Sequence, residues 1–288
     1  MSAAPSAASP SVALDYWEAL VRDDRSLPLF EAALSIAQDV YPDLDLADVL
    51  ARVDALAARL KARFAPDAPM LHKLRLLNHY FFNELHFRGN VNDYYDADNS
   101  YIHKVLERRC GIPITLAAMY MEIGQQAGIP LQGIAFPGHF LVKLRTSEGS
   151  VIIDVFEGGR SLSREDLEER LEPYARAHRV STTEALSAFL LGAPARDILA
   201  RMLRNLKGVY ERDDATHRLL AVMNRLVVLL PDDGETRRDR GLLYARLECP
   251  RAAIEDLEAY LATTPQAQDR DDIRARIDTL RDAASRLN

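Results

Sequence analysis

Residues 109–154, RCGIPITLAAMYMEIGQQAGIPLQGIAFPGHFLVKLRTSEGSVIID, carry the chain from helix to strand. Cys110-Gly111-Ile112-Pro113 interrupts a helical run over residues 101–109. Thr115 to Ala127 resumes it until Gly128-Ile129-Pro130, with Pro near the first helical position and Gly just past the last. Ile134 to Leu144 and Val151 to Phe156 then read as two β-runs joined by Thr146-Ser147-Glu148-Gly149, which predicts a short antiparallel hairpin.

With the turn centred between Thr146 and Ser147, His139 stands directly opposite Asp154, whereas a turn shifted by one residue makes them diagonal on one face. An imidazole held by a carboxylate is the orienting half of a nucleophilic triad, because the carboxylate fixes the tautomer and stabilises the imidazolium. The third member is a thiol at a helix N-terminus, where backbone N–H groups favour thiolate. Cys110 approaches that description, so Cys110, His139 and Asp154 are the candidate catalytic residues. The competing account is a small buried cysteine near a turn and a structural histidine satisfied by Asp154, since such pairs also occur without catalysis.

Upstream, Asn99, Tyr101 and Arg109 are candidates to line the same cleft, with loop capping and solvated charge as the plainer explanation. Asn99 or Ser100 also offers a cap for the helix that follows. Residues 70–87, MLHKLRLLNHYFFNELHF, read as one apolar helix ending before Gly89. Its His72, His79 and His86 recur every seven residues, but seven residues of helix rise about 10.5 Å, too far to share one ion, and no metal or cofactor is expected. Two or three amphipathic helices occupy Asp15 to about Phe64, punctuated by Pro28, Pro42 and Pro66. Residues 1–13, rich in Ala, Ser and Pro, read as a flexible tail.

Beyond about Ala193 the pattern is purely helical. Pro231 and Pro265 lie 34 residues apart, with small and apolar residues between them at helix-hairpin positions, the period and texture of a tetratricopeptide repeat. A degenerate repeat precedes it at about Asp197 to Leu230, and a last helix from Asp272 to Leu287 closes the array.

The 288 residues are 48% apolar and 27% charged, ordinary for globular protein. Lys plus Arg total 36 against 43 Asp plus Glu, and the resulting −7 gives no electrostatic footprint for nucleic acid or an anionic membrane. Two distant cysteines argue against a disulfide framework and for a cytoplasmic location, and neither a signal peptide nor an 18-residue apolar span is visible.

The motifs FRGN, YYDADNSY, RCGIPITL, FPGHFLVK and IIDVFEGG, together with the repeat, resemble the SirB-one family of bacterial transglutaminase-like proteins with C-terminal tetratricopeptide repeats. That resemblance implies an α+β fold. A helix-rich transglutaminase/papain-like domain with a small antiparallel sheet would occupy residues 14–190, followed by an all-α repeat segment over 191–288. His139 and Asp154 match its sheet positions. In the wider superfamily the nucleophile falls at Pro113 or Ile114, so Cys110 stands about one helical turn early, unless the irregular 110–113 bend carries the thiol back. Three readings follow. The first is a non-catalytic or vestigial module that binds a protein or peptide partner in a regulatory role. The second is a cysteine-dependent hydrolase or acyl transferase with Cys110 as nucleophile, His139 as base and Asp154 as orienter, and the third is a structural scaffold.

Overall fold

The computed structural model describes residues 10–286. Its first half runs α1 (Pro10–Val21), α2 (Leu29–Ser35), α3 (Leu46–Lys61), α4 (Met70–Asn78), a short strand β1 (Arg88–Gly89), α5 (Ile102–Arg108), β2 (Cys110–Gly111) and α6 (Pro113–Gln126). The sheet strands β3 (Leu131–Phe136), β4 (His139–Thr146), β5 (Gly149–Asp154) and β6 (Arg160–Leu162) follow, then α7 (Arg164–His178) and α8 (Thr182–Phe189). Five antiparallel helices complete the chain: α9 (Ala195–Arg212), α10 (Thr216–Leu229), α11 (Gly234–Arg246), α12 (Pro250–Thr263) and α13 (Arg270–Arg286). The α+β class with a helical repeat segment is therefore as expected. Helix α1 starts at Pro10, so the last residues of the expected tail are helical and Ala13 is buried, while the rest of that tail lies outside the described residues. No helix among the described residues is long and apolar enough to cross a membrane.

Helix α6 is apolar nearly all round, from Pro113 to Gly124, and such a helix belongs in the middle of a core. It packs against β3 and β4 on one side and α3 on the other. Its start is fixed by Thr115, whose Oγ1 accepts from the Ile112 N–H (3.2 Å) and donates to the Asn99 carbonyl (2.7 Å).

The sheet is a four-stranded antiparallel meander, β3-β4-β5-β6, rather than a lone hairpin. The single β-run read over Ile134 to Leu144 divides at Pro137-Gly138, where a fixed proline φ and a positive glycine φ (+67°) reverse the chain and pair Phe136 with His139. The second reversal also differs from the centred register. Thr146 pairs with Gly149 and Val142 with Ile153, so Asp154 continues opposite Leu141 and lies diagonal to His139 on the same face. Alternation then sorts the two faces. Phe140, Val142, Leu144 and Ile153 join the main core with α6, whereas Ile134, Phe136, Leu141 and Ile152 pack with Leu167, Leu171 and Leu186 of α7 and α8.

The helix expected over 70–87 ends at Asn78 and widens into a π-turn over residues 79–84, with His86 at φ +59°. Asn78 explains the change in part: its Oδ1 accepts from Tyr120 (2.6 Å) and its Nδ2 donates to the Gly159 carbonyl (3.3 Å), tying the wide turn to the loop after β5.

The repeat helices share the main core. Trp17 of α1 is fully buried and donates to the Arg225 carbonyl of α10 (3.1 Å), and Leu199, Leu203 and Leu226 belong to the same apolar cluster as Phe81 and Leu116.

Candidate functional site

His139 opens β4 and Asp154 closes β5, which brings the two ends together at one rim of the sheet. His139 Nε2 lies 2.9 Å from Asp154 Oδ2. Asp154 is completely buried, and its other oxygen accepts from the backbone N–H groups of Phe156 and Glu157, both at 3.1 Å. Arg170 of α7 adds a guanidinium contact to Oδ2 at 2.7 Å and reaches Glu157 at 3.0 Å. Burial alone would raise the Asp154 carboxyl. His139, then Arg170 and the Glu157 amide, outweigh it and hold the group below the ordinary carboxylate range. This arrangement fixes the imidazole by its Nε2 and keeps a permanent anion behind it.

The Phe156 ring sits edge-on to His139, with centroids 6.1 Å apart, and packs so tightly on Gly89 that a Cβ there would meet it at 2.6 Å. Tyr94 lies 6.2 Å beyond Phe156, with Tyr95 stacked edge-on to it, and these two tyrosines are among the exposed aromatics of the surface.

Cys110 is half-buried in β2, paired with Arg88, three residues ahead of the first residue of α6. Its thiol makes no hydrogen bond to His139. By alternation His139 shares the face of Leu141 and Lys143, and the Lys143 Nζ donates to the Leu190 carbonyl just after α8. Helix α6 covers the opposite face. The positions at the α6 N-terminus, Ile112, Pro113 and Ile114, are buried and carry no nucleophile.

The three residues expected to line the cleft are each engaged elsewhere. Asn99 is buried. Its Nδ2 donates to the Asp93 carbonyl (2.7 Å) and its Oδ1 accepts from Asn90 (3.0 Å), so it pins the loop that carries Tyr94 and Tyr95. Tyr101 is the N-cap residue of α5, without a side-chain cap, and its hydroxyl bonds Tyr210 of α9. Arg109 ends α5 in the left-handed conformation (φ +55°) and lays its guanidinium 4.7 Å over the Phe87 ring. None of the three hydrogen-bonds His139 or Asp154.

Residues 47–204 match a family model described as transglutaminase-like superfamily, more than half of the chain, and residues 206–278 match a tetratricopeptide-repeat model. A UPF0162 protein of Xylella fastidiosa (strain Temecula1) is 40% identical over 267 residues, covering 92% of this chain and 94% of that protein. Protein SirB1 of Salmonella typhimurium is 28% identical over 242 residues, covering 83% of this chain and 87% of its own length. The chain belongs to the SirB1 family of transglutaminase-like proteins. Human F-box only protein 21 is also similar to this SirB1-family chain, 28% identical over 251 residues, which cover 75% of the chain and 38% of that protein.

Two residues at the rim of this SirB1-family sheet escape sequence reasoning. Arg170, within LEERLEP, resembles a solvated helix charge paired to its own neighbours, and only the chain reversal after β5 reveals its buried partner. Phe156 sits in the IIDVFEGG motif, where its apolar character signals core, not a wall beside His139. Two cavities, of about 600 Å³ beside Leu29, Met121 and Glu122 and about 760 Å³ beside Val21, Arg196 and Leu229, lie elsewhere and include neither His139 nor Asp154.

Proposed function

We propose that this protein is a non-catalytic, transglutaminase-like binding module that holds a peptide or protein segment at the His139 rim and acts in a regulatory role. The cleft-bearing unit spans residues 14–190, and the helices of residues 191–288, which begin in the same core, offer a second surface, as helical repeats do. The observation that carries this reading is the division of the sheet. By alternation the imidazole shares the face of Leu141 and Lys143, which α7 and α8 cover, while Cys110 stands ahead of a helix on the other face, and Ile112, Pro113 and Ile114 at that helix start carry no nucleophile. Nucleophilic catalysis needs thiol and base within hydrogen-bond reach. Both cysteines are free, which fits a cytoplasmic setting.

The alternative, a cysteine-dependent hydrolase or acyl transferase, draws on the intact His139–Asp154 pair. Iodoacetamide alkylation separates the two. In a Cys249→Ser background, His139→Ala should leave the Cys110 alkylation rate unchanged within about twofold from pH 6 to 9. A tenfold or greater slowing would transfer the assignment to the triad.

A further inference from the structure

Arg201 of α9 is a guanidinium without a carboxylate partner among the described residues. Its Nη1 donates to the Phe136 carbonyl (3.0 Å), one residue before the Pro137-Gly138 turn that leads into His139, and its Cζ lies 5.8 Å over the Phe140 ring. Burial disfavours its charge. Many other arginines of this chain are paired: Arg63 with Glu84, Arg108 with Asp96 and Asp98, Arg170 with Asp154, Arg225 with Asp39, Arg240 with Asp256. A half-buried cation left unpaired costs free energy that a bound anion recovers.

A chain of contacts leads from it to the exposed tyrosines. Arg201 holds the Phe136 carbonyl, Phe136 pairs with His139, His139 meets Phe156, and Phe156 meets Tyr94. Three turns further along the same face of α9, Arg212 lies 3.7 Å over the ring of Tyr95, one of the two exposed tyrosines.

We propose that the segment held at this rim is an acidic peptide, anchored by an aspartate or glutamate carboxylate on Arg201 and packed against Tyr94, Tyr95 and Phe156. The guanidinium offers donors in a planar fork that matches a carboxylate. Arg212 adds a second cation, beside Tyr95, whose attraction for an acidic segment is salt-dependent. This assignment rests on the peptide-binding reading above and gives it a partner chemistry.

The test is selection from a displayed random dodecapeptide library on the full chain, followed by fluorescence anisotropy of the recovered sequences, synthesised with acetylated and amidated ends. Enriched peptides should share an Asp or Glu whose change to Asn or Gln weakens binding at least tenfold. Arg201→Gln should weaken the parent peptide to the same degree without further loss for the amide variant, and Arg201→Lys should fall between. Peptides that bind equally well without the acid, or to Arg201→Gln folded with an unchanged melting temperature, would overturn the carboxylate assignment and leave peptide binding intact. Failure to enrich any peptide would overturn both.

Discussion

Arg170 Nη1 and His139 Nε2 converge on one oxygen, Asp154 Oδ2, at 2.7 and 2.9 Å. The fully buried carboxylate thus serves the helix α7 packing as much as the imidazole. Asp154→Ala leaves two buried backbone N–H groups without their acceptor and Arg170 with Glu157 alone, and should cost about 3–5 kcal/mol in chemical denaturation. Arg170→Ala leaves His139 and both amides in place and should cost about 1.5–3 kcal/mol. His139, with a side chain 19% exposed, can hydrate its loss, so His139→Ala should cost about 1 kcal/mol or less. Asp154→Ala is therefore a poor probe of function and His139→Ala a clean one. Equal losses for all three would refute this ordering.

Stability should depend on pH through His103 first. This histidine of α5 is buried, both ring nitrogens lack partners, and burial, helped by Lys104, lowers its pKa to about 4. A base depressed in the folded state binds its proton better when unfolded. The folded state therefore keeps full stability above the unfolded value of about 6.5 and loses it as pH falls toward the folded value, by about 2–4 kcal/mol in all. Below that window Asp154 takes over: its stabilisation is present above about 3.9 and disappears as pH falls through its depressed folded value. Urea titrations should show His103→Phe nearly flat between pH 6.5 and 4.5, and a mutant as steep as the parent would exclude His103 as the source.

A second buried cation joins the two ends of the chain. Arg225 of α10 is fully buried, holds Asp39 through Nε and Nη2 (2.6 and 2.9 Å), and lies 5.2 Å over the Trp17 ring. Asp39→Ala leaves that guanidinium uncompensated and should cost about 3–5 kcal/mol, whereas Arg225→Met with Asp39→Leu should recover most of the loss. If the double variant is no more stable than Asp39→Ala, the ion pair is not what the single variant removes.

Much of this architecture is legible in the sequence, because long-period signals survive without tertiary context. The 34-residue spacing of Pro231 and Pro265, the break at Cys110-Gly111-Ile112-Pro113 and the apolar run of α6 each specify local geometry. The fourfold sheet is less legible. Pro137-Gly138 sits inside an apolar run and reads as part of one strand, and the three residues of β6 carry too little pattern. Register eludes the sequence by two residues because Ser147-Glu148 and Thr146-Ser147 are equally plausible turn centres; His139 and Asp154 share a face under both. Side chains recruited across the fold are the least legible: Arg170 and Arg201 both lie on helices whose local charges give each an ordinary surface reading.

The packing of Phe156 on Gly89 is the physical link between the β1–β2 pair that holds Cys110 and the rim that holds His139. A methyl group at residue 89 would come within 2.6–2.8 Å of three ring carbons of Phe156, so Gly89→Ala must push the ring away from β1, at a cost of about 1–3 kcal/mol. The displaced ring leaves its edge-on contact with His139, and the imidazole proton resonances should shift with it. Phe156→Ala removes the obstacle along with its packing, so in that background the added methyl should cost less than about 0.5 kcal/mol. A double-mutant cycle read by urea denaturation decides the matter. Additive losses at the two positions would show that the ring does not couple the two halves of the site.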